Sequence, residues 1–377
     1  MNLTLSEEQE MLKRAAREFL EDKCPKTVVK EIEESEKGYS LELWREMANL
    51  GWMGLAFPEK YGGGGMGFLD LSVLLEEMRR ACLLGPFFST VILGGLPILD
   101  IGSEEHKQEC LPKIVSGEAI FTLALAELSA RYDAASITAK AAPDNSDYVI
   151  NGTKLFVPDA HVADHLLCVA RTSEQATPED GITIFLIDAK SQGISYTVLK
   201  TIANDKLCEV VFDQVRVPKN NILGQLGQGW SEVQKTVERA AVAKCCEIVG
   251  NMQKVLEMTI DYAKERKQFG RPIGSFQIIQ HYCTNMATEV DGSRFSTYQA
   301  AWMLSECLPC TKEVAIAKAW VGEASQRVIA LAHQIHGAIG VTRAHDLHFY
   351  TRRAKAAEST FGDADSYREV VAKEMGL

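Results

Sequence analysis

From Ser6 to about Gly117, apolar residues return at steps of three and four in EEQEMLKRAAREFLED, LELWREMANLG, LDLSVLLEEMRRA and EEHKQECLPKIVSG. That period puts them on one face of a helix and predicts an all-helical first block. The pattern changes between Phe121 and about Asn221. ASITAKAA, DYVINGTKLFV, HLLCVART, GITIFLIDA and CEVVFDQVRVP are β-branched runs bounded by Asn-Gly, Pro and Asp, the marks of strands closed by turns. After NNILGQLGQGW, helical patterns resume, four in succession, and predict a bundle. The expected fold is therefore α+β, with an N-terminal helical domain over 1–117, a middle β-domain over 118–222 and a C-terminal four-helix bundle over 223–377.

Composition agrees with such a chain. Its 377 residues exceed the usual size of one cooperative core, and 46% hydrophobic with 24% charged residues is the balance of a globular protein. A net charge of -11 argues against a nucleic-acid partner, because such affinity comes from clustered Lys and Arg; a phosphate-bearing ligand must be met by a few local cations. The opening MNLTLSEEQEMLKRAAREFL reads as an acidic amphipathic helix without the basic and apolar regions of a signal peptide, and no apolar run reaches membrane-spanning length. A cytoplasmic location without membrane association is the expectation. The ten cysteines are scattered or sit in helical runs, as free thiols do in a reducing compartment.

Several stretches invite a chemical reading and lack the context for it. Cys307 and Cys310 form one CxxC with no second half-site and no thioredoxin-like strand before it. His333 with His336, and His345 with His348, have helical spacing but no third ligand, so no metal site is expected. YGGGGMG, residues 61–67, lacks both the GK[ST] ending of a phosphate loop and a βαβ setting; it reads as a flexible connection to the helix FLDLSVLLEEM. More is packed into DYAKERKQFGRPIGSFQIIQ, residues 261–280, where Arg266, Gln268 and Phe269 share one corner before a Gly-Arg-Pro break between two helices.

Taken together, FPEKYGGGGMG, INGTKLFVPDAHVADHLLCVART, VVFDQVRVPKNNILGQLGQGW, YAKERKQFGRPIGSFQIIQ and AHQIHGAIGVTRAHDLHFYTRRAK give the chain a nearly end-to-end resemblance to the acyl-CoA dehydrogenases, FAD enzymes that oxidise the α,β bond of acyl-CoA thioesters. The resemblance implies FAD as cofactor, an acyl-CoA substrate, an electron-transfer flavoprotein as acceptor, and a homotetramer or mixed heterotetramer. It also implies that Arg266 pairs with the FAD diphosphate of a neighbouring subunit, where a guanidinium fork suits a phosphate. Gln268 would hydrogen-bond nearby and Phe269 would contact the flat part of the cofactor. Gln334 and Gly337 resemble the turn that receives the adenine side, although Ala338 stands where a second glycine is usual. Leu125, Ala126, Phe156, Val157 and Pro158 match flavin-edge positions, with the usual hydroxyls missing at Ala126 and Pro158, and Gly362 and Asp363 complete the cofactor set.

The pattern breaks where the resemblance implies a catalytic base. Phe361 precedes Gly362 in place of the usual Glu, and Glu358 or Asp363 would need a shifted backbone to serve. The branch resembling isovaleryl-CoA and long-chain dehydrogenases takes its base from the first long bundle helix, and the matching residue is Glu238. It leads a stripe of Ala241, Val242, Cys245, Val249 and Met252 at helical spacing, and apolar surroundings strengthen a carboxylate as a base toward a weakly acidic carbon. Arg239 resembles the family's CoA-contacting arginine. By the same resemblance Glu238 takes the α-proton and flavin N5 the β-hydride, while the backbone N–H of Phe361 and a ribityl hydroxyl hold the thioester oxygen. The implied function is oxidation of a branched, cyclic or bulky acyl-CoA. Its alternatives are a non-catalytic partner subunit of a mixed tetramer and a related flavoprotein oxidase or hydroxylase on the same fold.

Overall fold

The computed structural model describes residues 4–174 and 176–377. The helical first block contains α1 (Glu7–Lys23), α2 (Lys26–Glu34), α3 (Leu41–Asn49), α4 (Phe68–Arg80), a π-helical stretch Phe88–Gly95 running into α5 (Leu96–Ile101), and α6 (Glu104–Val115). Strands follow: β1 (Phe121–Ala124), β2 (Lys140–Asp144), β3 (Asp147–Pro158), β4 (His165–Arg171), β5 (Ile182–Asp188), β6 (Ile194–Leu199), β7 (Leu207–Pro218) and β8 (Ile222–Leu223). The rest is α7 (Trp230–Glu265), a small hairpin of β9 (Lys267–Gln268) and β10 (Arg271–Pro272), then α8 (Gln277–Ser305), α9 (Thr311–His336), α10 (Leu347–Ser359) and α11 (Ala364–Glu374). By internal contacts the chain divides into two units, one built from Met1–Lys30, Gly67–Leu83 and Ala241–Leu377, the other from Glu31–Met66 and Leu84–Ala240.

In the first unit, side chains begin the helices. Ser6 and Gln9 form a reciprocal capping box on α1, at 3.2 and 3.0 Å. Asp70 accepts from the Gly67 N–H at 2.8 Å, and Ser305 accepts from Leu69 N at 2.8 Å, satisfying donors that the start of α4 leaves open. Small buried residues such as Ala300, Ala301, Ala315, Ala317 and Ala324 line α8 and α9. A Cβ on Gly250 would stand 1.9 Å from the Glu76 carbonyl oxygen, so α7 and α4 touch backbone to backbone there. Glu76 is buried and is met by Arg294 at 3.2 Å and Tyr298 at 2.8 Å, the pairing a buried carboxylate requires.

In the second unit the sheet runs β6-β7-β3-β2-β4-β5-β8, with β1 joined to β4 in parallel off that path. β4 and β5 carry continuous buried apolar runs, Leu166–Ala170 and Ile182–Ile187 apart from Thr183, whereas β3 and β7 largely alternate buried with more exposed residues. The glycine loop corrects the expectation of a flexible connection. Gly63 N, Gly64 N, Gly65 N and Met66 N donate to Pro58, Gly54, Phe57 and Leu55 at 3.2, 2.9, 2.8 and 3.0 Å. A Cβ on Gly63 would lie 2.1 Å from the Phe57 carbonyl oxygen, so the glycine serves close packing.

Other departures from the sequence reading are local. The final helical stretch is two helices, α10 and α11, because Phe361 and Gly362 turn the chain with φ of 59° and 100°. His345 lies before α10 rather than a turn from His348 on one helix. Neither α2, the π-helical stretch nor β6 was anticipated; β6 exposes Ser195 through Val198 alike and so lacks alternation.

Candidate functional site

In the second unit, the ends of β1 and β3 are brought together by one buried cation. Lys154 is fully buried, and its Nζ donates to Glu127 at 2.7 Å and to the Leu125 carbonyl at 3.1 Å. Glu127 also accepts from Thr138 N at 2.9 Å, Ala139 N at 3.0 Å and the Thr138 hydroxyl. Burial pushes the Glu127 carboxyl up, but Lys154 and these donors outweigh it and hold the group below the usual carboxylate range. Leu155 N donates to the Ala126 carbonyl at 2.8 Å, so the backbone of Leu125 and Ala126 is fixed against β3.

Just beyond, the pairing of β3 with β7 slips between Lys154 and Val157. Phe156 occupies this bulge at φ 55° with 45% of its surface exposed, while Val157 turns inward and is buried. Pro158 presents no N–H, and its carbonyl accepts from the Thr122 hydroxyl at 2.6 Å. Thus Leu125, Ala126, Phe156, Val157 and Pro158 form one neighbourhood. The Lys154–Glu127 pair that holds it was not read from the sequence, although a Lys at an inward β3 position was a visible signal.

Glu238 and Arg239 sit on the first turns of α7, after Thr236, whose hydroxyl donates to the Glu232 carbonyl at 2.8 Å. Glu238 is half-buried, and Ala241, Val242, Cys245, Val249 and Met252 beyond it are buried, but so are Ala240, Ala243, Cys246 and Ile248 between them, so α7 is enclosed on all sides here rather than along a single stripe. Arg239 forms an ion pair with Asp100 of α5.

In the first unit, Arg266 follows α7, and Gln268 and Phe269 belong to a two-residue hairpin. Gln268 pairs with Arg271, and the two tip residues Phe269 and Gly270 both have positive φ, 52° and 80°. Left-handed backbone is ordinary for Gly270 and costs a phenylalanine on the order of 1 kcal/mol. Phe269 is also 93% exposed; it meets Phe276 edge-on at 6.1 Å, and the Arg271 guanidinium covers the Phe276 ring at 4.3 Å. Gln268 Nε2 donates to the Lys267 carbonyl at 2.7 Å, and the Arg266 side chain has no ion pair or hydrogen bond among the described residues. The hairpin thus presents an outward-facing ring at its tip, propped by Phe276.

Gln334 is exposed on the last turn of α9, and Gly337 ends that helix at φ 63°, ψ −144°, a conformation reserved for glycine. Nothing stands within 4 Å of a Cβ there, so close approach is open on that side. His336 behind it stacks on Tyr262 at 4.5 Å and meets His345 at 4.7 Å. Burial lowers the basicity of both His333 and His336, and no group of three or more His, Cys, Asp or Glu disposed for a metal ion occurs among the described residues.

Phe361, Gly362 and Asp363 share one turn. The Phe361 ring is buried and its carbonyl accepts from the Tyr367 hydroxyl at 2.9 Å; Asp363 caps α11 by accepting from Ser366 N at 2.9 Å. The Ser366 hydroxyl bond holds the Asp363 carboxyl below its usual range. Glu358 is engaged elsewhere, with Gln326 at 2.5 Å and Lys355 at 3.0 Å.

Helical N-terminal, β middle and helical C-terminal parts define an acyl-CoA dehydrogenase fold. Three family models match in series: the acyl-CoA dehydrogenase N-terminal domain over residues 6–118, the middle domain over 122–215 and the C-terminal domain over 227–376. The chain belongs to the acyl-CoA dehydrogenase family.

A probable acyl-CoA dehydrogenase of Bacillus subtilis is 32% identical over the whole of both chains. A subunit of the caffeyl-CoA reductase-Etf complex of Acetobacterium woodii is 31% identical over 89% of each. Among solved structures, butyryl-CoA dehydrogenase from Megasphaera elsdenii superposes with a TM-score of 0.93 at 28% identity, covering all of both chains. The family is FAD-dependent, and its members are oxidoreductases named as dehydrogenases and as reductases. The residues present fit FAD at the hairpin tip, at Gly337 and along the fixed backbone of Leu125 and Ala126; what they lack is hydroxyl donors at Ala126 and Pro158. No helix of the described residues is long and apolar enough to cross a membrane.

Proposed function

We propose that this chain is an acyl-CoA dehydrogenase acting on a branched, cyclic or otherwise bulky acyl-CoA, with Glu238 as the base. The reading draws its support from the side chains at two positions. At the turn where the resemblance expects a carboxylate, Phe361 presents a buried ring, whereas α7 carries the half-buried carboxylate of Glu238 ahead of a buried, mostly apolar stretch.

Leu125, Ala126, Phe156, Val157, Pro158, Gln334, Gly337, Gly362 and Asp363 would hold FAD, together with Arg266, Gln268 and Phe269 given to a neighbouring copy in a homotetramer. When bound, FAD supplies the oxidising power, receiving two electrons and the substrate's second hydrogen. Glu238 takes the α-proton onto its carboxylate. The backbone N–H of Phe361 donates to the thioester oxygen as negative charge gathers there; such donors are typically worth roughly 3 to 4 kcal/mol, and a backbone donor is indifferent to the exchange of Glu for Phe. Arg239, balanced by Asp100, steadies the CoA portion. An electron-transfer flavoprotein is the acceptor, and ten free thiols suit a cytoplasmic setting.

Glu238→Gln tests the assignment. Flavin reduction by the best substrate from a panel of CoA thioesters is expected to disappear while bound FAD is retained, and normal reduction removes Glu238 from the mechanism. A second reading, a non-catalytic subunit of a mixed tetramer, draws support from the missing donors at Ala126 and Pro158. Such a subunit purified alone would be colourless, whereas the enzyme would be yellow and bleach with an acyl-CoA.

A further inference from the structure

We infer that Lys318 is a positioning residue, a buried ammonium that clamps the turn carrying the Phe361 N–H in its donating geometry. The inference rests on the role proposed for that N–H and names a group to which no role has been given. Lys318 projects from the interior of α9 and is fully buried. Its Nζ donates to three carbonyls, Glu358 at 2.7 Å, Gly362 at 2.8 Å and Ala357 at 3.3 Å. An ammonium has three N–H donors and no acceptor, so the three carbonyls use it completely.

Two of those carbonyls belong to the last turn of α10, which has no helical partners for them, and the third lies just past Phe361. Lys318 therefore ties the end of α10 to the far side of the turn. Tyr367 grips the point between through the Phe361 carbonyl at 2.9 Å. Phe361 is held at φ 59°, where a non-glycine residue does not rest unless its surroundings impose it.

An ordinary helix end does not need this. Thr360 already caps the Ala356 carbonyl with its hydroxyl at 2.8 Å, and the lysine that meets the end of α4, Lys26 at the Ala81 carbonyl, is only half-buried. Lys318 instead brings a charge into the interior, with no carboxylate among its hydrogen-bond partners. Glu358, the nearest acid on α10, is occupied by Gln326 and Lys355, and Asp363 by Ser366. Burial, with Lys244 acting in the same direction, lowers the Lys318 ammonium to about 8 against the opposing pull of Cys245, Glu358 and Asp363. A costly group whose every proton is spent on one turn marks a turn whose exact geometry matters.

Lys318→Met keeps most of the side-chain volume and removes all three bonds. The probes are the fastest CoA thioester of a panel, or isovaleryl-CoA if none turns over, and its thioether analogue, which has the same carbon chain and no carbonyl. In a folded variant with normal FAD content, kcat is expected to fall on the order of 100-fold with KM little changed, as when one oxyanion donor is misplaced. The preference of the protein for thioester over thioether, measured by calorimetry, is expected to shrink with it.

A folded Lys318→Met protein that keeps both kcat and that preference overturns the inference. If the variant does not fold, Tyr367→Phe decides. It leaves the ring in place and frees the Phe361 carbonyl, so a several-fold loss in kcat with a reduced preference supports the clamp, and no change in either refutes it. A wild-type protein that turns over no thioester argues against the proposed function instead, and the binding preference then judges Lys318 independently.

Discussion

Replacing Lys154 with methionine tests how the flavin-edge neighbourhood is held. The change keeps an unbranched chain of similar length and removes one charge from a fully buried pair 2.7 Å apart. Breaking a buried pair from one side costs about 3 to 5 kcal/mol, because the remaining charge is left uncompensated. Glu127 keeps the Thr138 N–H and hydroxyl and the Ala139 N–H, so the lower end, about 3 kcal/mol, is expected. At roughly 2 to 4 °C per kcal/mol for a domain of this size, the thermal midpoint should drop by about 6 to 12 °C.

The sign of its pH dependence separates this cause from simple loss of packing. In the wild type, Glu127 lies below the ordinary carboxylate range, so its stabilising contribution is present above that range and fades as pH falls through the folded value. Without Lys154 the largest lowering influence is gone and the folded value of Glu127 moves up. The gap between the proteins is therefore widest above the carboxylate range and narrows as pH falls through it toward the wild-type value. Denaturant melts at a series of pH values measure it. A gap below about 1 kcal/mol, or one independent of pH, would refute the account of this pair. FAD retention should fall as well, since the Leu125 carbonyl loses its donor.

Phe269→Gly should separate folding from cofactor retention: relief of the positive φ stabilises the cofactor-free chain by up to about 1 kcal/mol, while flavin absorbance per chain falls. Loss of both, or of neither, would count against the hairpin tip as a cofactor contact. Gly63→Ala should cost about 2 to 3 kcal/mol because its Cβ meets the Phe57 carbonyl at 2.1 Å, and an unchanged melting temperature would mean that the loop opens freely. These stand beside the Glu238→Gln and Lys318→Met experiments above.

The corner of Arg266, Gln268 and Phe269 was legible as residue types at close spacing. Glu238 came into view only through the resemblance, once Phe361 stood where that resemblance expects a Glu. What spacing could not convey was engagement. Nothing in the sequence says that Arg239 pairs with Asp100, or that Lys154 and Glu127, 27 residues apart, neutralise one another, since such contacts depend on how segments distant along the chain pack together. YGGGGMG was misread as flexible for the same reason: four glycines signal either freedom or the closest packing, and only the backbone opposite them decides.

The order of helical, β and helical parts follows from the sequence alone, because burial of an apolar face enforces a period of 3.6 or 2 on any chain that folds. Type and succession of elements were therefore written locally. Tertiary structure decided the use of groups whose meaning depends on distant neighbours: which lysines enter the interior, which carboxylates are spent on caps and pairs, and where a phenylalanine is forced into a left-handed turn. Charges and hydrogen bonds act over a few ångströms in space, and a residue's place along the chain does not say what will stand there.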